Sequence, residues 1–306
     1  RGLGDVYKRQ QWAKQADKPM DRAILHSLIA GMYADYAANN QWQLRQRTEI
    51  AGEAPSADMR EWTANMFVEK VRTNVKEAMA DSVLLLNTSS RTYIPFVELG
   101  ETSEYYHHDM LHLLGSRGVD ALNNVMGLDK DSVVQTSVEN VYLGMLDAYE
   151  KAGMDDGYVL CKLDYLNWKR NSDPTFVPYR APQNLIGLTQ DPYLAGLDKL
   201  KADFKSHDVC AEVYLAKARY AVEKQQQVMA LQICDEAIRL YPDYKRINAL
   251  KNLKQEILNP ALYVRADQVV YPDTDMKLMV NHKNIDGFTV QLYQSKKRVA
   301  EQHYSL

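Results

Sequence analysis

YVRADQVVYPDTDMKLMVNHKNIDGFTVQLYQS, Tyr263 to Ser295, is where the chain changes its period. Apolar residues alternate in Lys277-Leu278-Met279-Val280 and in Phe288-Thr289-Val290-Gln291-Leu292-Tyr293. That is the strand pattern, whereas the residues before it repeat at about 3.6, the helical period. Gln268-Val269-Val270-Tyr271 runs into Pro272, which ends a strand, and Asp286-Gly287 is a turn signal between the two alternating runs. Three strands of this polarity need a second sheet over their apolar side. The segment 261–306 is therefore expected to open a β-sandwich whose remaining strands are absent, and the chain to be cut at both ends.

Working back from that point, a last helix is expected from Tyr244 to Leu258. Before it, an offset of 34 residues pairs Gly196 with Ala230, Leu197 with Leu231, Leu200 with Cys234 and Phe204 with Ile238. Thirty-four is the period of the tetratricopeptide repeat, a helix pair that stacks on its neighbours. The stretch from Ala211 resembles that family. Tyr214 stands at its first aromatic, Ala218 at the small position, Ala230 and Ala237 at the two alanines, and Pro242 at the closing proline. Lys217 and Ala221 depart from it.

Further upstream, Pro174, Pro178 and Pro182 forbid a continuous helix and mark a seam over 171–191. Helices are expected over Ser137–Lys151 and Tyr158–Lys169, and a connection over 87–104. Ser103 with Glu104 is read as starting the helix EYYHHDMLHLLG, stopped by Gly115. A long helical run, one helix or two, goes from Pro55-Ser56 to about Leu86, with Met59, Trp62 and Met66 on one face. Another starts at Pro19 with the stripe Ile24, Leu25, Leu28, Ile29, Met32, Tyr33 and Tyr36, and breaks at Asn39-Asn40. The first ten residues, RGLGDVYKRQ, resemble a translated sequencing adapter and are set aside. The expected fold class is mainly α: a tetratricopeptide-like α-α superhelix over 11–258, then a truncated sandwich over 261–306.

A net charge of -3 gives no broad case for nucleic acid, and no run approaches the roughly 18 apolar residues of a membrane span. Three separated cysteines, Cys161, Cys210 and Cys234, indicate neither a zinc site nor a disulfide framework. His108 and His112, four apart with Asp109 between, are the one weak metal candidate. The zincin pattern, however, has glutamate directly after its first histidine, and the leucines around these residues favour a half-buried helix. Cys161 reads as a buried thiol. With no nucleophile elbow, phosphate loop or dinucleotide fingerprint, neither an enzyme nor a cofactor is expected. Twenty tyrosines and four tryptophans include a helical set, Tyr33, Tyr36, Tyr214 and Tyr220, that reads as core.

ADQVVYPDTDMKLMVNHKNIDGFTVQLY, following CDEAIRLYPDYKRINALKNLKQEILNPAL, resembles the junction between the helical region and first macroglobulin domain of large bacterial alpha-2-macroglobulin-like proteins. DRAILHSLIAGMYADYA and YYHHDMLHLL are similar to the same helical region. The resemblance implies a non-catalytic scaffold of a protease-trapping protein of the cell envelope, whose partners are proteases and its own further domains. The thioester spacing Cys-x-x-Gln does not occur at any of the three cysteines. Two rival readings are a helical glycan-binding surface lipoprotein and a metal-dependent hydrolase centred on His108 and His112.

Overall fold

Among the described residues, twelve α-helices come before four strands, so the chain is mainly helical with small antiparallel sheets. The computed structural model describes residues 3–47, 56, 58–94, 97–98, 100, 108–128, 131–173, 176, 191–266, 277–294 and 296–306. Two compact units, 1–213 and 214–306, divide it.

The first unit begins with α1 (Leu3–Gln15), α2 (Pro19–Asn39) and α3 (Gln41–Arg45), followed by α4 (Ala64–Ala78) and α5 (Ser82–Leu86). Pro19 occupies the first turn of α2, where its missing N–H leaves no helical bond unmade. Of the α2 stripe, Ile29 and Tyr33 are buried, Ile24, Leu25, Met32 and Tyr36 are half-buried and Leu28 is exposed, while the small residues Ala23, Ser27, Ala30, Ala34 and Ala37 complete the buried face. Tyr33 and Phe67 of α4 are both fully buried, their rings 6.2 Å apart, and Tyr36 stacks on Phe67 at 5.2 Å. Burial and the neighbouring Tyr7 push the Tyr33 phenol up to about 12. The run to Leu86 is broken into a 3-10 turn at Met59–Glu61 and two helices, with Asp81 capping α5 through the Leu84 N–H at 3.0 Å.

α6 (Met110–Asn124), α7 (Asp131–Ala152), α8 (Asp155–Ser172) and α9 (Pro192–Asp203) follow. Glycine decides how closely these helices approach. A Cβ on Gly118 of α6 would sit 2.9 Å from Val75 of α4, one on Gly157 of α8 2.6 Å from the Tyr149 ring of α7, and one on Gly196 of α9 2.7 Å from Leu166 of α8. Gly115, expected to stop α6, lies inside it against Met145, so here too glycine serves packing. Pro178 and Pro182 of the expected seam lie outside the described residues, as does Pro174.

α10 (Cys210–Glu223) crosses the division between Val213 and Tyr214, and α11 (Gln227–Leu240) and α12 (Ile247–Leu258) continue the second unit. Gln225, at φ 59, turns the chain between α10 and α11. The last helix begins at Ile247, three residues later than expected, because Tyr241–Arg246 forms turns.

Strands β1 (Ala261–Ala266) and β2 (Leu278–Lys283) form one antiparallel pair, and β3 (Gly287–Gln294) and β4 (Lys297–Ser305) another. The turn read at Asp286-Gly287 joins β2 to β3, but those strands do not pair with each other. Asn284, at φ 52, bends the chain there, and its amide donates to the Ile257 carbonyl at 2.7 Å while Lys283 Nζ donates to that of Glu256 at 2.8 Å. Both close the C-terminus of α12, whose last carbonyls have no partner within the helix. The strand expected at Gln268–Tyr271 lies outside the described residues.

Candidate functional site

The YYHHDMLHLL stretch does not form one helix from Glu104. Residues 101–107 lie outside the described ones, and α6 begins only at Met110. His108 and Asp109 are extended, because Ser90 N–H donates to the His108 carbonyl at 2.7 Å and Met110 N–H to that of Thr88 at 2.9 Å. His108 thus stands outside the helix that carries His112, and the two do not share a helical face.

Their rings have different partners. Arg91 Nη2 lies 2.8 Å from His108 Nε2 and donates to it, which assigns the proton of the neutral ring to Nδ1. His112 Nε2 faces Ser116 Oγ at 3.4 Å, one turn along its own helix. Among the described residues, no three His, Cys, Asp or Glu side chains are gathered as a metal would require.

Asp109 is the residue whose role the sequence hid. Only 5% exposed, its carboxylate caps α6 by accepting from His112 N–H at 2.6 Å, and Tyr149 OH of α7 donates to its two oxygens at 3.2 and 3.1 Å. Burial, followed by the Asp109 charge, raises the Tyr149 phenol well above its ordinary range. Cys161 is 2% exposed, and burial, then the Asp164 charge, raises its thiol out of reach of neutral pH. A thiol held protonated is a poor nucleophile. The arrangement is a lock between helices, and its signal in sequence was a capping residue directly before an apolar run.

The five residues expected to pack a repeat all lie in the second unit. Tyr214, Ala218, Ala230 and Ala237 are each at most 1% exposed, and Pro242 sits in the exposed turn after α11. Tyr214 OH donates to Glu236 Oε1 at 2.8 Å, and its ring meets Tyr241 edge-on at 5.8 Å. Cys234 is fully buried between the two alanines, its thiol pushed up to about 11 by desolvation.

Among the described residues, the first unit carries open clefts, of which two matter here. One, of about 490 Å3, takes part of its wall from Asp5, Val6 and Arg9, within the ten residues set aside as adapter-like. The other, of about 690 Å3, runs between α4 and α7 and is bridged by Arg72, whose Nε donates to Ser137 Oγ at 2.8 Å and Nη1 to Glu69 Oε2 at 2.8 Å. Both fall in the size range of ligand sites.

No protein-family model, curated protein or solved structure matches this chain.

Proposed function

We propose that this chain is the helical scaffold, with the start of a macroglobulin-type β-sandwich, of an alpha-2-macroglobulin-like envelope protein that traps proteases. Its tetratricopeptide-like helices position protein surfaces and do not turn over a substrate. The observation that carries the reading is the order of parts: helix pairs lead directly into antiparallel strands whose apolar faces are uncovered. Leu262, Val264 and Leu278 of β1–β2, and Leu292 and Tyr304 of β3–β4, are between 39% and 56% exposed. The register sets Val264 opposite Val280 and Phe288 opposite Tyr304, so each pair has one predominantly apolar face. Such faces match the inner layer of a sandwich.

The reading is tested by sequencing the gene past the codon for Leu306. Successive β-sandwich domains with a protease-cleavable segment between them support it. A stop codon or an unrelated domain overturns it.

A further inference from the structure

The chain contains two Asp–Gly pairs, Asp156-Gly157 and Asp286-Gly287. At such a pair the amide nitrogen of glycine, with no side chain to shield it, can attack the carboxyl carbon of the aspartate before it. An N–C bond forms, one carboxyl oxygen leaves as water together with the amide proton, and the product is a succinimide ring. Water then opens the ring, and cleavage at the main-chain carbonyl leaves an isoaspartyl link, in which the backbone runs through the side chain. No reagent but water is needed. Asp156 and Asp286 are both exposed, and neither carboxylate makes a hydrogen bond or ion pair among the described residues. The two sites differ in their backbones.

Ring closure eclipses the aspartate Cβ with the following nitrogen, a torsion that lies in neither the helical nor the extended region, so the backbone has to turn first. At Asp156 it is held. That residue stands in the first turn of α8, within the helical hydrogen-bond ladder, and a Cβ on the buried Gly157 would sit 2.6 Å from the Tyr149 ring. Tyr149 is itself fixed by Asp109. At Asp286 one bond holds the backbone: Leu306 N–H donates to its carbonyl at 3.0 Å, at the end of the β3–β4 ladder. That makes Asp286 and Leu306 a bonded pair, and the alternation of an antiparallel ladder then turns the Gly287 N–H away from β4. The nucleophile is open, and the bond that must break is at a fraying end. The backbone there already approaches β4 closely, since a Cβ on Gly287 would sit 2.5 Å from the Tyr304 carbonyl oxygen. A link one carbon longer displaces Gly287 from that position and β3 from its register.

We propose that Asp286 is a site of spontaneous isoaspartyl formation whose product loosens the β3–β4 pair, while Asp156 stays intact in the folded chain. The site does not rest on the family proposed above. The purified 306-residue chain is held at neutral pH and physiological temperature for weeks, folded and, in parallel, unfolded in urea. Peptide mapping with electron-transfer fragmentation locates the isoaspartyl links, and an isoaspartyl methyltransferase with a labelled methyl donor counts them. In the folded chain position 286 should react at least about tenfold faster than position 156, because a frayed ladder end is open far more often than a packed helix. In urea, which removes the fold, that ratio should fall towards one. Asp286→Glu, whose longer side chain disfavours the ring, should abolish the signal at 286. A ratio no greater in the folded chain than in urea, or no modification at 286 in the folded chain, overturns the assignment. The modified fraction, separated by hydrophobic-interaction chromatography, should exchange the amide hydrogens of residues 288–292 faster than the parent. Unchanged exchange overturns the loosening of the strand pair.

Discussion

Asp109 joins the start of α6 to the end of α7, and its removal deletes the carboxylate that accepts from His112 N–H and from Tyr149 OH. Losing a cap and stranding a buried hydroxyl together should lower stability by about 2–4 kcal/mol in Asp109→Ala. Tyr149→Phe deletes one donor to the buried carboxylate and should cost about 1–2 kcal/mol. Urea unfolding with an unchanged slope measures both. Glu139 carries the pH dependence at this scale. Hydrogen bonds from Lys169 at 2.8 Å and from Tyr165 OH at 2.5 Å hold its carboxyl below the ordinary glutamate value. A carboxylate depressed in the folded state contributes its stability above the unfolded value and loses it as pH falls through the folded one. Glu139→Gln should therefore lower the urea midpoint at about pH 7 and have little effect near about pH 2.

Between helices, glycines with and without neighbours make opposite predictions. Gly157 faces the Tyr149 ring, which the Asp109 bond holds in place, so Gly157→Ala forces α7 and α8 apart and should cost about 1–3 kcal/mol. Gly144 faces open space on α7, so Gly144→Ala should raise stability by about 0.5–1 kcal/mol through helix propensity alone. Thermal unfolding of the two variants beside the parent checks both signs. A drop at both positions would mean that Gly144 is not open.

For the whole molecule, the exposed strand faces should govern association in solution. Exposed apolar faces on two-stranded sheets with free edges invite association. The parent chain should sediment with concentration-dependent mass, and Val264→Lys with Leu292→Lys should reduce that association without lowering helical content. Sedimentation velocity over a concentration series reads it, and equal association in parent and double variant would place the sticky surface elsewhere. No helix among the described residues is long and apolar enough to cross a membrane.

The sequence by itself determined the helical character, the start of α2 at Pro19 and the change to strands, because period and turn chemistry are local properties. Ala230 and Ala237, singled out by the 34-residue offset and the repeat resemblance, are both fully buried. What neighbours decide was not legible. The start of α6 at Met110 depends on residues 88–90 pairing with His108 and Met110, and the role of Gly115 depends on Met145 across the helix interface. The β1–β2 and β3–β4 pairings depend on strand edges and on Asn284 bonding back to α12. The cleft between α4 and α7 joins residues some seventy positions apart, which no local window holds. A side chain's spacing along the chain fixes its face on an element, and only tertiary contacts fix what that face meets.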